Sequence, residues 1–212
     1  MSTMIKATYL KHMGEDMDVA DAARVSFAKK AANYSKEGNN KLIKFLAREG
    51  HIAPFGHNYL RFHIKAPVFV ARQLVKHKFM RMSEVSRRYV KDGFEWYVPD
   101  EWRAGADDVK QGSVGAAQSQ YFPTKYLIQA QEEATQRYNK MIYQGICAEQ
   151  ARMILPVNLY TEWWWSGSLD AFADMCNLRC KTDTQYETRL VAEQISVEIK
   201  ELFPVSWEAL TQ

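Results

Sequence analysis

The sequence predicts an α+β fold, a single domain over residues 1–212 with a central β-sheet flanked by helices. Two observations lead to this prediction. Residues 57–66 alternate apolar and polar side chains, as in a half-buried strand, and residues 123–145 repeat apolar side chains every three or four positions, as in an amphipathic helix. Strand-like and helix-like segments are interspersed, and no linker-like stretch separates them.

The first half of the chain begins with a segment of β-forming residues and then shows helical spacing of apolar side chains. Pro67 suits the first turn of a helix. The predicted elements are a strand at 4–10, a helix at 17–27, a loop at 28–40, a helix capped by Asn40 and ended by Gly50, a strand at 57–66 and a helix at 68–79.

In the second half, Pro156 stops one short helix, and Thr184 with Glu187 has the spacing of a capping box for the last one. The predicted elements are a short aromatic strand within 91–102, a flexible surface loop at 103–120, a helix at 123–145, a short helix at 148–155, a strand at 157–165, a turn at 166–168, a helix at 169–180 and a last helix that ends before Pro204.

The bulk composition excludes several classes of protein. The net charge is only +3, from 28 basic and 25 acidic residues, which argues against a protein that coats nucleic acid. The three cysteines form no C-x-x-C pair and have no histidine beside them, so we expect neither a disulfide framework nor a metal site. No apolar run reaches the roughly 18 residues of a membrane span, and the N-terminus has no apolar signal-peptide region. These features predict a cytoplasmic protein without membrane contacts.

The basic charge is concentrated in residues 72–89, which contain six Lys or Arg and one His against one acid, Glu84. Serine hydroxyls and guanidinium groups together suit a phosphate, because they donate hydrogen bonds from several directions. If the helix continues to residue 79, Arg72, Gln73 and Lys76 point toward a common region. A solvated basic face and a nucleic-acid groove are the alternatives. The concentration in one stretch favours a small phosphorylated ligand over nucleic acid.

The same stretch contains Arg72-Gln73, then Lys76-His77-Lys78 and, after seven intervening residues, Ser86. It resembles the signature of the flavin-dependent thymidylate synthases, R-Q-x-x-R-H-R-x-x-S-x-N-E-x-S-x-R-Y, with lysine in place of both arginines of R-H-R. Five further segments resemble the family in the same order: AARVSF (22–27), LAREGHIAPFGH (46–57), FHIKAPVFVARQ (62–73), ARMILPVNLYT (151–161) and NLR (177–179).

The resemblance implies reductive methylation of dUMP to dTMP, with methylenetetrahydrofolate as carbon donor and FAD, reduced by NADPH, as hydride source. It also implies a homotetramer whose subunits share active sites. The substrate-binding residues that it implies are Gln73, Glu84, Ser86, Arg88, Arg152 and Arg179. The cofactor-binding residues that it implies are Lys76, His77, Lys78, His51, Glu84, Tyr89, Ser168, Asp174 and Asp183. Arg179, which would polarise the pyrimidine, and His51, beside flavin and folate, are the implied catalytic residues, and Glu149 matches an acid near the site.

The chain departs from the family mainly on the flavin side. Ala53 stands where the family commonly has threonine, and Ser83 replaces an asparagine of the motif. Ser168, Asp170 and Asp174 stand where the family often offers Asn, Arg and Asn to the flavin and its phosphates, and Asp183 stands near a flavin-contacting histidine. A carboxylate beside a diphosphate is unfavourable, because like charges repel.

These departures leave two other functions open. One is a methyl- or hydroxymethyltransferase acting on another pyrimidine nucleotide, and the other is a non-catalytic nucleotide- or nucleic-acid-binding homologue. No cysteine has the setting of a nucleophile, and Ser86 has no visible His and Asp to deprotonate it, so we assign Ser86 to binding. The WWW run at 163–165 is interpreted as packing in the core or at a subunit interface rather than as a cofactor platform.

Overall fold

The computed structural model describes residues 5–105 and 112–211. Within these ranges, four antiparallel strands form one sheet in the order β1-β2-β6-β3, and β4 and β5 form a separate antiparallel pair. The strands are β1 (Lys6–Met13), β2 (Tyr59–Pro67), β3 (Met80–Glu84), β4 (Arg103–Ala104), β5 (Val114–Ala116) and β6 (Tyr160–Ser168).

Helices account for most of the remaining regular structure. They are α1 (Asp16–Arg24), α2 (Lys36–Arg48), α3 (Val68–Leu74), α4 (Tyr121–Tyr143), α5 (Ala148–Ala151), α6 (Leu169–Arg179), α7 (Tyr186–Leu202) and α8 (Pro204–Leu210). The predicted α+β class, with a central sheet flanked by helices, is confirmed.

The core lies between one face of the sheet and helices α6 and α7. On β2, Leu60, Phe62 and Ile64 are buried, as their alternation predicted. On β6, Trp163 and Trp165 are each 1% exposed and pack into the same core, whereas Trp164 is 53% exposed on the opposite face. The packing interpretation of the WWW run is therefore confirmed for its two outer members.

Helix α2 begins earlier than predicted. Its N-cap is Ser35, whose Oγ accepts a hydrogen bond from the Gly38 backbone N–H at 3.1 Å, so Asn40 lies inside the helix. The neighbouring Asn39 is buried, and its Oδ1 accepts from the Nε and Nη2 of Arg24. The cap of α2 thus falls within the segment predicted as a loop, because Ser35 satisfies a helix terminus locally.

The predicted turn at 166–168 is wrong, because β6 continues through Ser168, which pairs with Tyr59 of β2. The predicted capping box at α7 is also absent. The Thr184 hydroxyl donates to the Leu178 carbonyl, and the Glu187 carboxylate binds Tyr97 and Arg103 instead of the helix end. In both places, contacts with distant segments override a local pattern.

The predicted helix over 68–79 ends at Leu74. Phe79 has a φ of 60°, a left-handed backbone conformation that a helix cannot contain. The chain then forms β3, which pairs with β6 and makes one edge of the sheet. Part of the predicted loop at 103–120 forms regular structure, since β4 and β5 pair with each other; residues 106–111 lie outside the described residues.

Candidate active site

The end of helix α3 separates two cavities. Arg72 and Val75 line one of them, and Gln73 and Lys76 line the other. Neighbouring helical residues project about 100° apart, so adjacent positions near the end of this helix can serve opposite sides. The expectation that Arg72, Gln73 and Lys76 point toward a common region is therefore wrong for Arg72.

The first cavity, which we call the arginine groove, has a volume of about 870 Å³. Its charged lining consists of four arginines and one acid: Arg72, Arg87, Arg88, Arg152 and Glu84. The apolar part of the lining includes Val157 and Leu159. This excess of guanidinium groups favours an anionic ligand, and arginine can bind two oxygens of one phosphate.

A tight turn after β3 brings Ser86 and Arg88 together in this groove. The Ser86 Oγ accepts hydrogen bonds from the backbone N–H of Arg88 at 3.3 Å and from its Nε at 3.4 Å. The Ser86 carbonyl accepts from the backbone N–H groups of Tyr89 and Val90. The turn thus holds a hydroxyl and a guanidinium side by side, which suits a phosphate ligand.

Glu84 ends the edge strand β3 and is oriented by β6. The Thr161 hydroxyl donates to the Glu84 Oε1 at 2.8 Å, and Thr161 is 7% exposed. Sequence reasoning did not select Thr161 as a site residue. The pairing of β3 with β6 brings Thr161 close to Glu84. Because β3 was not predicted, this pairing and the role of Thr161 could not be predicted either.

The second cavity, which we call the Arg179 cleft, has a volume of about 500 Å³. Its lining residues are Gln73, Lys76, Arg103, Gly112, Ser113, Arg179 and Gln185. The Gln73 side-chain amide donates to the Gln185 side-chain carbonyl, which orients both amides across the cleft. Arg103, Ser113 and Gln185 were not predicted as site residues, because they lie in the predicted surface loop and in the turn before α7.

His77 positions Arg179. The Arg179 Nε donates to His77 Nε2 at 3.0 Å, so this imidazole nitrogen acts as an acceptor. Burial, together with the positive charge of Arg179, lowers the pKa of His77 to about 4. At neutral pH the imidazole is therefore uncharged, and it accepts the hydrogen bond from the Arg179 Nε.

The other predicted cofactor residues are not among those that line either cavity in the described chain. His51 is exposed and lies just after α2, where its ring makes an edge-to-face contact with the Phe45 ring. The remaining positions are Lys78 between α3 and β3, Tyr89 under the Arg88 guanidinium, Ser168 at the end of β6, Asp174 on α6 and Asp183 between α6 and α7. The Glu149 backbone carbonyl accepts from the Arg152 Nε at 3.3 Å.

The predicted residues thus form two groups on one chain. Glu84, Ser86, Arg88 and Arg152 share the arginine groove, whereas Gln73, Lys76 and Arg179, with His77 bonded to it, belong to the Arg179 cleft. Their convergence on one cleft does not occur within a single chain. Among the described residues there is no group of three or more His, Cys, Asp or Glu side chains that could hold a metal ion. None of the helices in this part of the chain could span a bilayer.

Comparison with known proteins identifies the family. The family model described as "Thymidylate synthase complementing protein" matches residues 8–205. The chain belongs to the flavin-dependent thymidylate synthase family. The flavin-dependent thymidylate synthase of Kosmotoga olearia is 35% identical over 199 residues, which cover 93% of this chain and 86% of that protein. That of Thermus thermophilus is 36% identical over 200 residues, covering 94% of this chain and 73% of the relative.

Solved structures agree with this family membership. A UMP/dUMP methylase, PolB from Streptomyces cacaoi, bound with 5-Br dUMP, has a TM-score of 0.89 and 31% identity, and the match covers 99% of this chain and 95% of that one. The same protein bound with 5-Br UMP has a TM-score of 0.84 and 29% identity, with 99% and 94% covered. The mixed helix-and-sheet fold is therefore that of the family.

The flavin expected from this family fits one part of the structure and not another. On α6, the Asp170 Oδ1 is buried without a hydrogen-bond partner among the described residues, and burial together with the Asp170 charge raises the pKa of Asp174. Two carboxylates in this setting repel a diphosphate. The Arg179 cleft, by contrast, offers three cations and two amides, a donor set that fits an anionic cofactor with ring carbonyl groups.

Proposed function

We propose that the chain is a flavin-dependent thymidylate synthase that methylates dUMP to dTMP, with methylenetetrahydrofolate as carbon donor and NADPH as reductant of FAD. The arginine groove is the observation on which this proposal rests, because it combines a turn that holds a hydroxyl beside a guanidinium with three further arginines and one acid. The similarity to enzymes of that name, and to a UMP/dUMP methylase, supports it.

The nucleotide phosphate would occupy the arginine groove. Ser86 and Arg88 share one turn, and Arg152 lines the same groove, so their donors can surround the phosphate oxygens. Glu84, oriented by Thr161, would accept a hydrogen bond from a sugar hydroxyl. These contacts would bind and orient the nucleotide without taking part in bond formation.

Arg179 would bind the pyrimidine. A guanidinium that donates to a uracil carbonyl stabilises the negative charge that develops on the ring oxygen when carbon 5 acts as a nucleophile. His77, as a neutral acceptor, would orient Arg179 without competing for its charge. When bound, FAD supplies the hydride chemistry, and Lys76, Gln73 and Arg179 would hold it beside the base.

The active site would be shared between subunits of a homotetramer. The nucleotide-binding residues and Arg179 lie in separate cavities of one chain, and a second copy that brings its Arg179 cleft against the arginine groove would unite them. We propose residues 1–212 as one domain. A cytoplasmic location is supported by the three cysteines, all of which are free.

A second candidate substrate is UMP, because one protein with a similar solved structure is a UMP/dUMP methylase. The purified protein, supplied with FAD, NADPH and methylenetetrahydrofolate, should be tested with dUMP, UMP and dCMP, with the product masses measured. We expect a mass gain of one methylene group from dUMP. Addition of hydroxymethyl, or turnover of UMP alone, would replace the proposal with the corresponding transferase, and binding without turnover would indicate a non-catalytic homologue.

Arg152 provides a direct test of the groove. We expect Arg152→Gln to raise the KM for dUMP roughly tenfold or more, because a charge-assisted hydrogen bond to the phosphate is lost. The matched control is Arg137→Gln, an exposed arginine on α4 that pairs with Glu133. Equal KM values for the two variants would contradict phosphate binding in the groove.

A further inference from the structure

Arg103 is a third cation of the Arg179 cleft, and it comes from the β4–β5 pair. Its Nε donates to the Ser113 Oγ at 2.8 Å, and its Nη2 donates to the Glu187 Oε1 at 2.7 Å. Its guanidinium also lies over the Tyr186 ring, 4.8 Å from the ring centroid. The Arg103 side chain is 24% exposed and is held from three directions, which pre-organises its planar donors.

Glu187 is the buried anchor of this arrangement. Its side chain is 4% exposed, and its Oε1 also accepts from the Tyr97 hydroxyl at 2.9 Å. Burial opposes ionisation, but the hydrogen bonds from Arg103, from the backbone and from Tyr97 hold the pKa of Glu187 below its usual value. The carboxylate is therefore ionised at neutral pH and orients Arg103 from behind the cleft.

Among the described residues, the charged side chains that line the cleft are all positive. Lys76, Arg103 and Arg179 are all cations, and none of the seven described lining residues is acidic. Lys76 offers a point charge where the family motif has arginine, whereas Arg103 offers a fixed planar guanidinium whose Nη1 is not used by the bonds to Ser113 and Glu187. The cleft thus has the charge and the donor geometry to bind a phosphate or a carboxylate group.

We propose that Arg103 binds a phosphate or carboxylate group of a ligand in the Arg179 cleft, with Glu187 as its positioning residue. This inference rests on the proposed function, in which FAD brings a diphosphate and the folate brings the carboxylates of its glutamate. The Asp170 and Asp174 carboxylates on α6 disfavour a diphosphate at that helix, which makes the cleft the better place for an anionic group.

The test measures binding to the full chain without turnover, using two pairs of ligands that differ in their anionic groups. FAD is compared with riboflavin, which lacks the diphosphate, and tetrahydrofolate is compared with tetrahydropteroate, which lacks the glutamate. We expect Arg103→Gln to weaken the affinity for FAD or for tetrahydrofolate roughly tenfold or more. The affinity for the matching ligand without the anionic group, riboflavin or tetrahydropteroate, should change by no more than about twofold. A loss of affinity for FAD but not for riboflavin identifies the bound group as the diphosphate. A loss for tetrahydrofolate but not for tetrahydropteroate identifies it as a carboxylate.

Two further variants separate ligand binding from a structural role. Arg103→Lys should keep part of the affinity, since charge remains but the fork is lost, and Arg137→Gln should bind every ligand as the wild type does. The double variant Arg103→Gln/Glu187→Gln removes the buried charge pair as a whole. We expect it to regain stability lost in Arg103→Gln and to bind the affected ligand no better than Arg103→Gln.

The proposal is overturned if Arg103→Gln is folded and binds both anionic ligands with wild-type affinity, or if the double variant recovers that affinity. Either result would make Arg103 a counter-ion for Glu187 only. Failure of the proposed function would look different: the wild type would form no dTMP from dUMP, whatever the affinities of the Arg103 variants.

Discussion

His77 is a half-buried imidazole whose charge depends on its surroundings. Burial and the neighbouring Arg179 disfavour the imidazolium, and the resulting neutral ring accepts a hydrogen bond from that arginine. The resemblance implies a role for His77 in contacting flavin. The structure adds a second role within the chain, since His77 determines how Arg179 is presented to the cleft.

The pH dependence of stability should report this arrangement. The pKa of His77 is lowered to about 4, whereas histidine in an unfolded chain titrates at about 6.5. As pH falls, the unfolded state takes up a proton first, so the stability contributed by neutral His77 is present above about pH 6.5 and is lost toward pH 4. We expect the wild type to lose more free energy of unfolding than His77→Gln across this window in denaturant titrations, with parallel curves above pH 7. Parallel curves throughout would contradict the assignment.

A glycine in the turn between β1 and α1 illustrates how a single position can constrain the chain. Gly14 has a φ of 90°, and a Cβ at this position would lie 1.7 Å from the Oδ1 of buried Asn58. Gly50 has a φ of 69° and has nothing within 4 Å of the corresponding position. The two glycines share the left-handed backbone and differ in the space around them.

Substituting both glycines separates strain from overlap. We expect Gly50→Ala to cost about 1 kcal/mol of unfolding free energy, from backbone strain alone. Gly14→Ala should cost about 3 kcal/mol or more, because the new methyl group also overlaps Asn58. Chemical denaturation of the two variants measures the difference. Equal costs would show that the chain around Gly14 relaxes without penalty.

Among the elements, α8 depends on a residue far away in sequence. The Asp16 carboxylate, at the start of α1, accepts from the backbone N–H groups of Val205 and Ser206 at 2.9 and 2.8 Å. Two N–H groups of the first turn of α8 are thereby satisfied. A helix after Pro204 was not predicted, because the residue that caps it lies about 190 positions earlier.

Removing this carboxylate should destabilise the region around α8. We expect Asp16→Ala to lower the free energy of unfolding by about 1–2 kcal/mol, as the loss of a helix cap does. Asp100→Ala, at an exposed position, is the control and should change stability by no more than about 0.5 kcal/mol. The contact would be shown to be energetically neutral if the two variants unfolded at the same denaturant concentration.

The elements also show which parts of the fold could be predicted from sequence. β2 and α4 have strong periodicity, and both were located within two residues of their ends. β3 was missed because it is only five residues long and its two alternating apolar residues, Met80 and Met82, lie within a strongly basic stretch, as is common for an edge strand. The capping box failed because Glu187 is bound by Tyr97 and Arg103, contacts that no local pattern contains.

The candidate site followed the same division. Residues that share a motif, such as Glu84, Ser86 and Arg88, lie together in the arginine groove, since one strand and its following turn carry them all. Thr161 and Arg103 were not selected, because each reaches its cavity through pairing or packing with a distant element. Sequence therefore predicted the site residues that are neighbours along the chain, but not those brought to the site by a distant element.

At the scale of the whole molecule, the two cavities predict a test of shared active sites. Arg152→Gln damages the arginine groove, and Arg179→Gln damages the Arg179 cleft. If each site combines the groove of one subunit with the cleft of another, mixed tetramers of the two impaired variants contain some intact sites, whose activity is measured at a dUMP concentration far below the KM of Arg152→Gln. Random one-to-one mixing should restore about a quarter of wild-type activity.

This complementation experiment has a clear negative result. Each variant alone should retain little activity at this low dUMP concentration after the same unfolding and reassembly, and the mixture should recover dTMP formation from dUMP. A mixture as inactive as its components would show that both cavities act within one chain. Light scattering on the same samples would establish whether four copies associate.

Helix α3 is a common wall between two chambers, and it is only seven residues long. A tilt of this wall that widens the arginine groove narrows the Arg179 cleft, and if neighbouring subunits complete each other's sites, the disturbance spreads to two reaction centres at once. Attempts to broaden the nucleotide preference by enlarging the arginine groove would therefore alter how tightly the Arg179 cleft binds the cofactor. Redesign of the nucleotide preference should therefore begin from groove residues outside α3, such as Val157 and Leu159, which line the arginine groove and not the Arg179 cleft.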